Sequence, residues 1–266
     1  HFDVDSMHVV PNGPNSTVTV YLRQKLYGTS QFANSNRVEL TFMDSLWNTY
    51  SVTASFSGQT GTDVFVVPFE PSVVIVDLNE KTADAIVSYN KIISTPSTTS
   101  FTYSYSSIIV NNVTDSIFVR VEHHKVAPDP VVSNPEIFRI SESRYWRITG
   151  IIPEGTGYQL KFNYNRSSDF YDTQLLPENN CIDSLILVYR PGPGFDWQIF
   201  PFTRAGSDYT GFLTTPYGLL GEYALAVGQP NQSGILESGS ESGLLVFPNP
   251  GSDILQIANI PQNCTE

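Results

Sequence analysis

Apolar and polar residues alternate along most of the chain. Val18, Val20 and Leu22 interleave with Thr17, Thr19, Tyr21 and Arg23, the period of two that a strand with one buried face requires. Similar runs predict strands at Val38 to Met43, Tyr50 to Phe56, Asp63 to Phe69, Ser72 to Leu78, Ser88 to Ser94, Thr99 to Val110 and Ser116 to Val126. A later series covers Ile137 to Ile140, Tyr145 to Ile151, Tyr158 to Tyr164, Ser184 to Arg190, Trp197 to Phe202, Tyr209 to Thr214 and Glu222 to Val227. Recurrence roughly every ten residues is the pattern of β-sandwiches. Ala83 to Ile93 alone has some helical spacing, through Ala85, Tyr89 and Ile92. Its β-branched residues favour a turn followed by a strand.

The breaks in this pattern suggest a domain plan. Gly58 and Gly61 offer the positive-φ positions of a hairpin, and Pro68 and Pro71 bracket a gap between strands. Pro128, Pro130 and Pro135 remove ladder donors and push their predecessors toward extended backbone. A boundary at 130 is therefore expected, with residues 1–130 and 131–228 forming two consecutive β-sandwiches of immunoglobulin or fibronectin type, each with its own core. Residues 229–243 are rich in Ser, Gly, Gln and Glu and read as a flexible linker. A third segment, 244–266, contains an alternating strand at Ile254 to Ile257. It is too short to fold alone and reads as truncated, its backbone lacking ladder partners within the segment.

Composition sharpens this all-β picture. Of 266 residues 40% are apolar and 15% charged, and the formal charge is -12. Such an acidic chain with no Lys/Arg cluster repels phosphate, so nucleic acid is not an expected partner. The longest apolar runs, such as Val73 to Val76, have strand length and predict no membrane span. The chain begins at His1 without a leader-like stretch, so a signal peptide is expected upstream or already removed. Cys181 and Cys264 lack metal-site spacing, and whether they pair is left open.

Candidate chemistry is sparse. There is no HExxH and no GxSxG, and neither cysteine has a basic setting. The histidines are His1, His8, His123 and His124. The last two are adjacent on a predicted strand, so they leave on opposite faces and cannot share a metal. One is expected to be tucked inward with a hydrogen bond and the other to lie at the surface. Asp169, Asp172, Glu178, Asn179 and Asn180 could supply oxygen ligands to calcium, although an ordinary solvated acidic loop explains them as well. Phe101, Tyr103 and Tyr105 are predicted on one strand face, as core packing or as a platform for sugar rings. The Gly155-Thr-Gly157 and Gly192-Pro-Gly194 pairs read as turns. No catalytic, cofactor or metal residue is assigned, and no stoichiometric zinc is expected.

One stretch resembles a known family. Phe118-Val-Arg-Val-Glu-His-His-Lys-Val-Ala-Pro-Asp-Pro130 is similar to the region after the catalytic domain of secreted zinc aminopeptidases of Bacteroidetes, relatives of aminopeptidase N. Supporting stretches are Ser35 to Phe42, Arg144 to Gly155, Leu187 to Gly194 with Asp196 to Gln198, and Gly221 to Ala226. The resemblance implies an upstream peptidase domain that carries the zinc and acts as a partner of this region. A second resemblance is carried by Val246-Phe247-Pro248-Asn249-Pro250, Asp253 and Ile254 to Ile257, which match the opening of the C-terminal sorting domain of type IX secretion substrates. It implies export through the periplasm to the cell surface or medium, and the secretion machinery as a partner. Asp-Ser followed by an apolar residue, at Ser6, Ser45, Ser116 and Ser184, resembles the O-glycosylation sequon of Bacteroidetes, although Asp-Ser is also ordinary turn chemistry.

The expected function is thus a non-catalytic accessory region that scaffolds an upstream metallopeptidase domain and links it to the export signal. The alternative is a surface binding module or adhesin that holds carbohydrate or protein.

Overall fold

The computed structural model describes residues 1–82, 84–167, 171–175 and 184–228, together with the backbone of 245–247 and 256–258. The fold is all-β, and among the described residues no helix is long and apolar enough to cross a membrane. Two units form, His1–Gly234 and Ile235–Glu266.

Six strands build the smaller sandwich of the first unit: β1 (Phe2–Asn12), β2 (Asn15–Gln24), β3 (Asn36–Met43), β4 (Thr49–Phe56), β5 (Thr60–Val67) and β6 (Val73–Val76). They make two antiparallel three-stranded sheets, in the orders β1-β2-β5 and β4-β3-β6. The inward alternates of β2, Val18, Val20 and Leu22, meet Val38, Leu40 and Phe42 of β3 in a mainly aliphatic core. The segment around Gly58 and Gly61 is not a hairpin, because β4 and β5 belong to different sheets. It carries the chain from one layer to the other. Gly58 has φ +76°, and a Cβ on Gly61 would lie 2.2 Å from the Phe56 Cβ, so this crossing needs both glycines.

The larger sandwich follows with β7 (Ile86–Ile93), β8 (Ser97–Phe101), β9 (Ser106–Asn112), β10 (Ile117–His124), β11 (Ile137–Ile140), β12 (Tyr145–Ile151), β13 (Gly157–Asn165), β14 (Leu185–Arg190), β15 (Gln198–Phe200), β16 (Thr203–Gly206), β17 (Thr210–Thr214) and β18 (Gly221–Gly228). One sheet has the order β15-β14-β18-β12-β10-β7, with β11 also on β18, and the other is β16-β17-β13-β9-β8. Between them lies an aromatic core in which Trp146, Phe162 and Tyr223 are fully buried, with ring centroids 4.9 and 5.0 Å apart in sequence of contact. Trp146 donates its indole N–H to the Ser104 carbonyl at 2.6 Å, so its polar edge is satisfied inside the core.

This arrangement moves the domain boundary. β7 and β10 come from the first 130 residues, yet they pair in one sheet with β12, β14 and β18. The sandwiches of residues 1–130 and 131–228 therefore do not exist as separate units, and the change of core falls within 77–84. The prolines do end a strand, but the connection they stiffen joins two strands of the same sheet. Asp77 and Glu80, both at positive φ, turn the chain between the real cores.

Most strands lie where alternation placed them, and β7 follows a turn as the β-branched residues indicated. The predicted strand Thr99 to Val110 is a hairpin, broken by a 3-10 turn at Thr102–Ser104 and by Tyr105 at φ 53°. In the second unit β19 (Leu245–Phe247) pairs antiparallel with β20 (Gln256–Ala258), so the third segment supplies ladder partners of its own.

Candidate functional site

The most unusual chemistry lies on the outer face of the seven-stranded sheet. Alternation on β10 sends Val119, Val121 and His123 inward and Arg120, Glu122 and His124 outward. Register then lays Ser88, Glu122, Arg147, Glu222 and Arg190 side by side on five adjacent strands. An outer face of this kind ordinarily meets water. Here the smaller sandwich covers it, and Arg120, Glu122, His124, Tyr145, Arg190 and Glu222 are all buried.

Charge pairing makes that burial tolerable. Arg190 contacts Glu222 at 2.6 Å and Arg120 contacts Glu122 at 2.6 Å. From the smaller sandwich, Asp3 accepts a hydrogen bond from the Arg147 guanidinium, which also donates to the Val4 carbonyl at 2.6 Å. A bulge between Val4 and Ser6 lets Val4 enter the small core while Asp3 and Asp5 face the seam. Asp129 closes the network, meeting Arg190 at 2.5 Å, Arg23 at 3.0 Å and Lys25 at 3.2 Å. The flanking Pro128 and Pro130 fix the backbone of this clasp, and its carbonyl accepts the Trp197 indole N–H at 2.8 Å.

The ionisations follow from these contacts. Burial alone would push the Glu122 carboxyl up, but Arg120 and His124 outweigh it and hold it down at about 2. Burial opposes the Asp129 charge likewise, and Lys25, Arg190 and Arg23 bring its pKa below the usual range. Burial lowers Lys25, with Asp129 and Glu222 partly offsetting it. Tyr145 is held well above 10 by burial and by the Glu222 charge.

The histidines depart from expectation. His123 is inward and fully buried, stacked at 5.5 Å on Trp146, but no described atom satisfies either ring nitrogen in hydrogen-bond geometry. Burial and the nearby Arg144 push its pKa down to about 2, so it packs as a neutral aromatic. His124 is not at the surface: it is fully buried, stacked on Tyr145 at 4.3 Å. Its Nδ1 lies 3.2 Å from the Nε2 of His1. His1, Asp3 and His124 bring one ligand atom each within 4.8 Å of one another. Sequence separation hid this cluster, while His8 is exposed and stands apart.

The remaining candidates are dispersed. Phe101 is core, whereas Tyr103 is 70% exposed within the turn Thr102–Ser104, so the aromatic row does not form. Asp172 is fully buried and holds Arg144 through contacts of 2.6 and 3.0 Å, which commits it to structure. Asp169, Glu178, Asn179, Asn180, Cys181, Cys264 and the sorting residues Pro248, Asn249, Pro250 and Asp253 lie outside the described residues. Ser6 and Ser45 are exposed, and Ser116 and Ser184 are half-buried. Gly155 has φ +79° in a turn.

A second surface stands out on the smaller sandwich. Beyond the seam, the outer face of β1-β2-β5 aligns Val10, Thr17 and Val66 in one row, His8, Thr19 and Val64 in the next, and Ser6, Tyr21 and Thr62 beyond. Val66 and Val64 are 63% and 56% exposed. No family model, curated protein or solved structure matches the chain.

Proposed function

We propose that this chain is a non-catalytic accessory region of a secreted, aminopeptidase-like zinc metallopeptidase. It scaffolds the catalytic domain encoded upstream and joins it to a type IX sorting segment. The observation that supports this reading best is the pairing of a rigid seam with an open apolar face. Charges buried between the sandwiches fix one against the other, which gives a platform a single shape. The Val10, Val64, Val66 and Tyr21 face lies on the same platform and offers β-branched surface to a neighbouring domain.

The experiment is co-expression of the upstream domain and this chain as separate polypeptides. Val64→Asp with Val66→Asp should abolish their co-purification while leaving the melting curve of this chain unchanged. Co-purification that survives both substitutions removes the docking face from the reading. For the export role, deletion from Leu244 onward in the whole protein should retain it in the periplasm, as read by cell fractionation; normal surface display refutes the sorting assignment. The adhesin alternative loses its aromatic platform, because Tyr103 lies in the turn Thr102–Ser104 and leaves the strand face that Phe101 occupies.

A further inference from the structure

We propose that His1, Asp3 and His124 form a binding site for a divalent transition-metal ion, zinc foremost, that staples the two sandwiches together. The inference goes beyond the scaffold reading and revises the expectation that this region holds no metal. Two imidazoles and one carboxylate are the donor set that zinc and its neighbours prefer. In a zinc tetrahedron with Zn–N bonds of about 2.05 Å, two nitrogens stand about 3.3 Å apart. The His124 Nδ1 and His1 Nε2 are 3.2 Å apart, and the Asp3 oxygen completes the triangle within 4.8 Å.

Surrounding groups orient these donors. The far nitrogen of His124, Nε2, faces the Glu122 carboxylate at 3.4 Å. The nitrogen has no partner in hydrogen-bond geometry, so this is an electrostatic contact. An ionised Glu122 favours the proton on Nε2, which leaves the Nδ1 lone pair directed at the cluster. A metal-bound histidine is commonly held by a carboxylate in this way. Asp3 is held by Arg147 and by the Tyr145 hydroxyl, which donates to its Oδ2 at 3.3 Å. His1 exchanges two backbone hydrogen bonds with Lys25, of 2.7 and 2.9 Å. This ladder pair positions its side chain whether or not residues precede it.

The Nδ1 of His1, on the other side of the ring from the Nε2 that faces His124, is also buried without a hydrogen-bond partner; an imidazole that carries its proton there turns the Nε2 lone pair toward the cluster. A polar cavity of about 230 Å³, lined by Asp84, Glu80, Ser88, Arg120 and Glu122, shares with the cluster the Glu122 carboxylate that faces His124, and Asp84 is close enough to interact with His124. Lys25 and Arg147 repel a metal here, while Asp3, Glu122 and Asp84 attract it. Because His1 and Asp3 belong to the smaller sandwich and His124 to the larger, a bound ion adds a link across the seam.

The test uses the whole chain, stripped with chelator and dialysed against a slight excess of zinc. One zinc per chain should remain by elemental analysis, with a rise in Tm of several degrees. His1→Ala should lose both the metal and the rise while keeping the metal-free Tm, and His8→Ala, on the exposed face, should keep both. Failure to retain zinc, equal retention by His1→Ala, or loss in His8→Ala would each overturn the site. None of these outcomes depends on the docking or export experiments.

Discussion

The two sandwiches solve the same packing problem at different scales. The smaller, residues 1–82, closes six strands over a core of mostly Val and Leu, with Phe42 its one fully buried aromatic. The larger, residues 84–228, has twelve strands among its described residues and is filled with Trp146, Trp197, Tyr164, Tyr223 and Phe162. A domain of about 80 residues buries a smaller share of its surface than one nearly twice as long. The smaller sandwich therefore gains the more from the seam, whose charges add to its stability beside its valines. Polar burial here serves to couple a weak core to a strong one.

The severest way to break this comparison is to separate the halves. Residues 1–82 alone should show no cooperative melt by circular dichroism, because Asp3, Arg23 and Lys25 lose every partner across the seam. A sharp two-state transition for that fragment would show that the small core suffices. Next in size, Arg144→Ala removes one partner of a buried pair inside the larger sandwich and leaves Asp172 unpaired. It should cost about 3–5 kcal/mol by chemical denaturation, and a cost under about 1 kcal/mol would contradict that account.

A third effect separates the faces of the seven-stranded sheet by pH. The unfolded His123 takes up a proton near pH 6.5, whereas the folded one does so only near 2. The unfolded state thus binds more protons across that window, and stability falls as pH falls through it, by about 2 kcal/mol between pH 6.5 and 5. His123→Phe, which keeps the stack on Trp146, should flatten that interval. The depressed Glu122 acts lower, between about 4.5 and about 2, as its unfolded form retains protons that the folded one has lost. If the slope above pH 5 is unchanged in His123→Phe, the inner histidine is not its source. The smallest effect is expected on the open face, where Val64→Thr should change stability by no more than about 0.5 kcal/mol. A larger loss would mean that this face is structural. Ser6 lies on the same face, so a glycan there, readable as extra intact mass in protein from its host, would exclude docking through that row.

How much of this was legible in the sequence depended on the period of two. It located most strands, including Ile137–Ile140 and Tyr145–Ile151 to the residue, because alternation is a local property of the backbone. It missed β1, whose bulge and mixed residues blur the alternation, and β16, whose Thr203–Gly206 has no buried side chain at all. Prolines suggest a domain end at 130 where only a strand ends, since local chemistry does not say where the next strand will pair. The seam was invisible for a related reason. Arg120, Glu122 and His124 look the same in sequence whether water or another sandwich covers them. The His1, Asp3 and His124 cluster was hidden by distance along the chain, although the alternation of β10 had already placed His124 apart from His123.

The seam also sets an order of events. Asp3 and its partner Arg147 are separated by 144 positions, and Glu222 follows later still. While the chain is being made, the smaller sandwich emerges first, and its seam charges stay hydrated until the larger sheet exists to receive them. Contacts of such long span are slow to form. The delay is also protective, because an early intermediate that shows water carboxylates and guanidinium groups at this surface has less reason to self-associate than one that shows valine. The same charges that later join two cores first keep the unfinished chain apart from its copies.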